Sequence, residues 1–183
     1  MKKVLVILAI LLPMVTFAQK AEDAKKLTKF EEFTSKTGSI VKFIDVTLPR
    51  LSLSYGSLET GIRTLKSGSN AYFYRLEKGE TSSSVAKIAM IEYSDLVEIN
   101  KALVKLSSEV ESDIAANPDY LENKFRTVDG FEVGYYVSKG EANWFMKLER
   151  YSSSTVFIKN QSIVIDAFKN AQAKIEELKA SGK

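Results

Sequence analysis

Histidine and cysteine are both missing from the 183 residues. Without histidine, a Ser-His-Asp triad, imidazole acid–base catalysis and a His-ligated metal are all excluded. Without cysteine there is no disulfide framework, no thiolate nucleophile, no Cys-containing zinc site and no lipid-modified cysteine. The chain also lacks a Gly-rich phosphate loop. Basic and acidic side chains nearly balance, 26 against 23, and no stretch concentrates Lys and Arg, which argues against nucleic acid as a partner. No second apolar run follows the first. That first one, residues 4–12, is shorter than the roughly 20 residues a membrane-spanning helix needs.

That apolar run follows Lys2 and Lys3 and leads through residues 13–18 into Gln19. Thr16-Phe17-Ala18 satisfies the small-x-small rule of signal peptidase. Residues 1–18 therefore read as an export signal. Its removal leaves 24 basic and 23 acidic side chains. The expected mature protein is exported, periplasmic or secreted, and not a lipoprotein. It should be one domain spanning residues 19–183 with no membrane span, and its folding should rest on its hydrophobic core alone.

Residues 20–36 suggest a short helix or a first strand. Residues 39–48 alternate and end at Pro49; Leu51-Ser52-Leu53-Ser54-Tyr55 alternates again. Gly56, Gly61 and Gly68 imply an irregular or bulged stretch up to Asn70. Strands are expected at 71–78 and 85–93. A helix then opens at Asp95, with Glu98 as capping-box partner, and closes at Asn117-Pro118. Leu96, Ile99, Leu103, Leu106 and Val110 mark its buried face. Strands at 123–128 and 131–138 flank Asp129-Gly130, a type I′ hairpin signal. Strands at 142–150 and 155–159 follow. Asn160 caps a last helix striped with Val164, Phe168, Ala171, Ile175 and Leu178.

The halves 27–117 and 120–181 repeat this order. Phe73-Tyr74-Arg75-Leu76-Glu77-Lys78 matches Phe145-Met146-Lys147-Leu148-Glu149-Arg150, and a triple serine follows each, 82–84 and 152–154. The pattern implies an internal duplication of a strands-then-helix unit. The expected fold is α+β: a curved antiparallel sheet with two helices packed on one face and the other face open to water.

Catalytic constellations are weak. Ser39-x-x-Lys42 and Ser84-x-x-Lys87 have the spacing of a Ser-Lys dyad, but both begin strands, where residues three apart face opposite sides. The acids Glu31-Glu32, Glu109, Glu111, Asp113 and Glu176-Glu177 fall on polar faces or ends and form no cleft pair. No metal and no cofactor is implied.

Alternation inside the repeated strands separates two faces. Tyr72, Tyr74 and Leu76, with Trp144, Met146 and Leu148, belong to the core. Phe73, Arg75 and Glu77, with Phe145, Lys147 and Glu149, then form a doubled Phe–cation–anion strip on the open face. Tyr136, opposite the inward Tyr135, extends it into an aromatic patch with Phe73 and Phe145. Such a strip suits a partner surface of aromatic anchors ringed by charge; cross-strand ion pairing on a solvated sheet is the competing explanation.

Asn117-Pro118-Asp119-Tyr120-Leu121-Glu122-Asn123-Lys124-Phe125, with Asp129-Gly130-Phe131 and Gly134-Tyr135-Tyr136-Val137-Ser138-Lys139-Gly140, resembles segments of uncharacterised small exported proteins of Bacteroidota. The Ala18-Gln19 junction and Lys-rich, Cys-free body fit the same group. The resemblance implies export and no particular activity.

These readings converge on a non-enzymatic exported binding domain that uses the open sheet face or a sheet edge. Its partner would be a protein, a peptide or an envelope glycan. The alternative is a carrier of a small apolar ligand between sheet and helices; a carboxylate or Ser-Lys hydrolase ranks third.

Overall fold

The computed structural model describes residues 27–35, 38, 40–67, 69–79, 85–150 and 155–182. The export signal, Ser39, Gly68, Ser84 and both triple serines lie outside the described residues. A short helix α1 (Lys29–Thr34) precedes four strands, β1 (Lys42–Ser52), β2 (Ser57–Ser67), β3 (Ser69–Lys78) and β4 (Lys87–Glu92), and a long helix α2 (Tyr93–Ala115). Then β5 (Leu121–Arg126), β6 (Glu132–Ser138), β7 (Glu141–Lys147) and β8 (Thr155–Phe157) lead into α3 (Gln161–Ala180). The α+β class and the strands-then-helix order, given twice, are those read from the sequence. The eight strands divide into two antiparallel sheets, ordered β1-β2-β3-β4 and β5-β6-β7-β8. The repeated segments occupy equivalent places, since Phe73 and Phe145 both lie on the third strand of their sheet.

One core joins the two units. The inward residues of both sheets pack with Leu96, Ile99, Leu103 and Leu106 of α2 and the full stripe Val164, Phe168, Ala171, Ile175, Leu178 of α3. The seven-residue apolar repeat thus does what periodicity requires: it puts one stripe of each helix against the sheets. Tyr72, Tyr74, Leu76, Trp144, Met146 and Leu148 are all in this core, as the alternation demanded. Tyr74 meets Phe168 edge-on at 5.2 Å, and Tyr135 meets Trp144 at 5.1 Å. Backbone contact also links the sheets, where Ser54 N–H donates to the Phe157 carbonyl at 2.9 Å.

Several local expectations are corrected. Residues 57–67 are a strand, not an irregular stretch: β2 pairs β1 and β3 along its length. Pro49 does not end β1; the register shifts between Leu48 and Leu51, a bulge on an edge strand, where proline's missing N–H costs no ladder bond. The proline carbonyl still accepts from Thr60 Oγ1 at 2.8 Å. Glu92, not Asp95, caps α2, its carboxylate accepting from Ser94 N–H at 2.8 Å. Asp129-Gly130 is not a type I′ turn, because Gly130 alone of the pair has positive φ and its N–H donates to the Thr127 carbonyl. Both positive φ values occur instead at Lys139 and Gly140, at 54° and 78°, between the paired Ser138 and Glu141. Asn160 caps α3 as expected, accepting from Ser162 N–H at 3.0 Å.

The largest correction concerns the outer face of the first sheet, which is not open to water. α1 lies across it. Phe30 and Phe33 meet Phe73 edge-on at 5.2 and 5.9 Å, and Phe73 is 0% exposed. Leu65, Ala71 and Phe73 form a second small core under α1. A capping box holds the helix start: Glu31 N–H donates to Thr28 Oγ1 at 3.2 Å and Thr28 N–H to Glu31 Oε2 at 2.8 Å. Lys29 ties it down, its Nζ 2.8 Å from Asp95 and its N–H donating to Asp129 at 3.0 Å. Asp95 is thus an anchor for α1.

Candidate functional site

The strand register lays out the two outer faces row by row. On the first sheet, Asp45, Arg63, Phe73 and Glu92 form one row across the four strands, and Thr47, Gly61, Arg75 and Met90 the next. On the second, Lys124, Gly134, Phe145 and Phe157 form one row; Arg126, Glu132, Lys147 and Thr155 form its neighbour on one side. On the other side stand Glu122, Tyr136 and Asn143. Each sheet therefore places one phenylalanine of the doubled strip at the centre of its outer face.

Their surroundings differ. Phe73 is sealed under α1, Arg75 is ion-paired to Glu77, and Arg63 forks onto Asp45 with bonds of 2.8 and 2.6 Å. That fork holds the Asp45 carboxyl below the usual carboxylate range. Phe145 has no helix over it among the described residues, yet it is not open to water as expected: it is 7% exposed, covered by its aromatic neighbours. It sits among aromatic rings, with Tyr136 at 6.5 Å; Phe157 lies 6.4 Å from Tyr136 edge-on, and Tyr120 stacks on Tyr136 at 6.0 Å. Phe157 is 43% exposed and Tyr120 60%. In the ionic half of the face, buried Glu132 receives Lys124 at 3.0 Å and Arg126 at 3.4 Å. Lys124 also pairs with Glu122, which sits below the usual carboxylate range because of that hydrogen bond and one from Tyr120. The expected three-way patch therefore splits. Tyr136 and Phe145 come together, while Phe73 belongs to the other sheet.

From the aromatic half, a groove of about 830 Å³ runs round the short end of β8. Tyr55, Tyr136, Trp144 and Phe157 line it with Asn143, Glu141 and Gln161. Tyr55 projects from the turn after β1 and is 88% exposed. The Gln161 side-chain carbonyl has no hydrogen-bond partner among the described residues. Tyr55, Tyr120, Asn143, Phe157 and Gln161 were not identified from the sequence as site residues. Only the outward parity of Asn143 and Phe157 relative to Phe145 could have flagged two of them.

Glu149 and Lys87 stand elsewhere, in a second cleft of about 600 Å³ between β4 and residues 148–150. Tyr72, Tyr74, Tyr135 and Trp144, the ring side chains between sheets and helices, are buried in the core. Among the described residues no group of three or more acids could hold a metal ion, and no helix is long and apolar enough to cross a membrane. Comparison with family models, with curated proteins and with solved structures gives no match.

Proposed function

We propose that this chain is an exported, non-enzymatic binding domain whose ligand is an envelope glycan held on the outer aromatic face of the second sheet. The carrying observation is the contrast between the two outer faces: α1 covers Phe73 on the first sheet, whereas on the second sheet Phe145, itself buried, is flanked by Tyr136 and Phe157, and these two rings line a groove. Pyranose rings present C–H faces that pack on aromatic rings, and hydroxyls that need partners able both to donate and to accept. Tyr55, Tyr136 and Phe157 supply the rings; Asn143, Gln161 and Glu141 supply the amides and carboxylate. The groove size is within the range of small-ligand sites. Export comes from the leader pattern of residues 1–18, and a secreted glycan binder without disulfides fits a chain with no cysteine.

The double variant Tyr136→Ser/Phe157→Ser tests this, read by mobility in native gels cast with cell-envelope polysaccharide. The wild-type protein should be retarded, and the variant should run free with its thermal midpoint little changed. Equal retardation of both, or none of either, would overturn the proposal. Pairing Phe73→Ser with Phe145→Ser would be a poor test, because Phe73 is core and its truncation alone should cost about 3–5 kcal/mol.

A further inference from the structure

The sheets have four edges, and three are guarded in recognisable ways. β1 carries Pro49 and a bulge, β8 is three residues long, and β5 alternates the charges of Glu122, Lys124 and Arg126. β4 has none of these devices. Its centre is Ile88-Ala89-Met90-Ile91, four apolar residues in a row, on a strand that among the described residues pairs only with β3. No backbone group outside the sheet pairs with it among the described residues. Instead, Ile88 N–H donates to Glu149 Oε1 at 3.4 Å, and the same carboxylate meets Lys87 Nζ at 3.3 Å. Ile88 N–H therefore points away from β3. With a period of two, the amide of Met90 points the same way.

This edge runs along a cleft: Ala89 and Ile91 are buried, while Ile88 is 40% exposed. It borders the 600 Å³ cleft, whose apolar lining includes Ala89, Ile91, Phe131 and Leu148 and whose acidic side chains include Asp95 and Asp129. Walled on its far side by Phe131 and Leu148, the cleft has room for one strand but not for a whole folded sheet. The carboxylate of Glu149 occupies the place where a neighbouring strand would offer a carbonyl. We propose that β4 accepts an extended peptide as a fifth strand of the first sheet. Its alternate apolar side chains pack on Ala89, Ile91 and Leu148, and its polar ones face out. The edge from Ile88 to Glu92 spans about 16 Å, enough to pair about five residues at about 3.3 Å each. Main-chain pairing supplies the affinity and the alternation supplies the selectivity. This site is separate from the aromatic groove, and neither proposal depends on the other.

The probe is a capped, fluorescently labelled hexapeptide alternating Val and Thr, used with the intact protein. Saturable binding is expected, with amide exchange at Ile88 and Met90 slowed at least tenfold at saturation. A peptide N-methylated at alternate amides keeps its side chains but loses the ladder, and should bind at least tenfold more weakly. Glu149→Ala should tighten the unmodified peptide about threefold by clearing the amide of Ile88. Absence of saturation, equal binding of the N-methylated peptide, or no gain in Glu149→Ala would overturn the proposal. So would slow exchange at Ile88 and Met90 in the free protein, which would mean that the chain already covers this edge. The N-methyl comparison needs no protein variant, so a folding defect cannot mask the result.

Discussion

A Cβ placed on Gly134 would lie 2.2 Å from the Asn123 carbonyl oxygen and 2.6 Å from Lys124 Cα, both on the neighbouring strand. Backbone atoms cannot rotate aside, so Gly134→Ala must push β5 away from β6. Overpacking of this kind costs about 1–3 kcal/mol, and the rigid neighbours put this case at the upper end. Urea denaturation should show the lower midpoint; an unchanged midpoint would mean that β5 yields without cost. Phe145 stands directly across from Gly134, so the same substitution should disturb the aromatic face as well. Gly61 plays a similar part on the first sheet, its Cβ position lying 2.8 Å from the Val46 carbonyl oxygen. This is why the glycine-bearing stretch 57–67 reads as irregular in the sequence and folds as a strand. Glycine marks either a turn or a close approach of backbones, and composition alone does not separate them. Inward and outward parity was far more legible, because burying one face of a strand leaves no freedom in it. Tyr72, Tyr74, Trp144 and Met146 were therefore placed correctly.

At the scale of elements, α1 decides which outer face is covered. Six residues are too few for an isolated helix to be stable. Its hold comes from the Thr28–Glu31 capping box, the Lys29 ion pairs and the packing of Phe30 and Phe33 on Phe73. Thr28→Ala removes the cap and should cost about 1 kcal/mol. The loss should be local: limited proteolysis near residues 27–35 should speed up several-fold while the global unfolding transition moves little. An equal loss in both would show that α1 unfolds only with the whole domain. The sequence held the signals for this helix, Thr28-x-x-Glu31 and the three-residue spacing of Phe30 and Phe33, but the segment is too short for periodicity to separate helix from strand. Its docking partner was invisible, since nothing local says which sheet face a capped turn will cover. The long helices were the opposite case. Their stripes run over four to five turns, and such a pattern admits one burial. Of the strip residues, Tyr136 and Phe145 share the aromatic face and Phe73 lies under α1; strand parity puts both phenylalanines outward but does not show what buries them.

For the molecule as a whole, the absence of histidine sets the shape of its stability against pH. Asp45, held by Arg63, and Glu122, held by Lys124 and Tyr120, lie below the usual carboxylate range. The stability they add is complete above their unfolded pKa, near about 4, and is lost as pH falls through their folded values. Asp129 has the opposite sign: burial raises its carboxyl, so the folded state takes up that proton first and acidification relieves part of its cost. At the other end, Glu122 raises Lys124 and Asp45 raises Arg63; Lys29, although burial opposes it, is raised by Asp95 and its neighbours. Their contribution is present in full below the unfolded pKa and lost as pH rises through the folded one. Burial, with the hydrogen bond to Asp113, pushes Tyr135 up to about 12, whereas an unfolded tyrosine ionises near about 10; alkali therefore favours the unfolded chain. Between these limbs no side chain has an ordinary pKa in the range where histidine titrates. Thermal midpoints at pH 5.5, 6.5, 7.5 and 8.5, taken at constant ionic strength, should agree within about 2 °C, then fall below about pH 4 and above about pH 10. A transition centred between pH 6 and 7 would require a carboxylate buried far more deeply than Asp129.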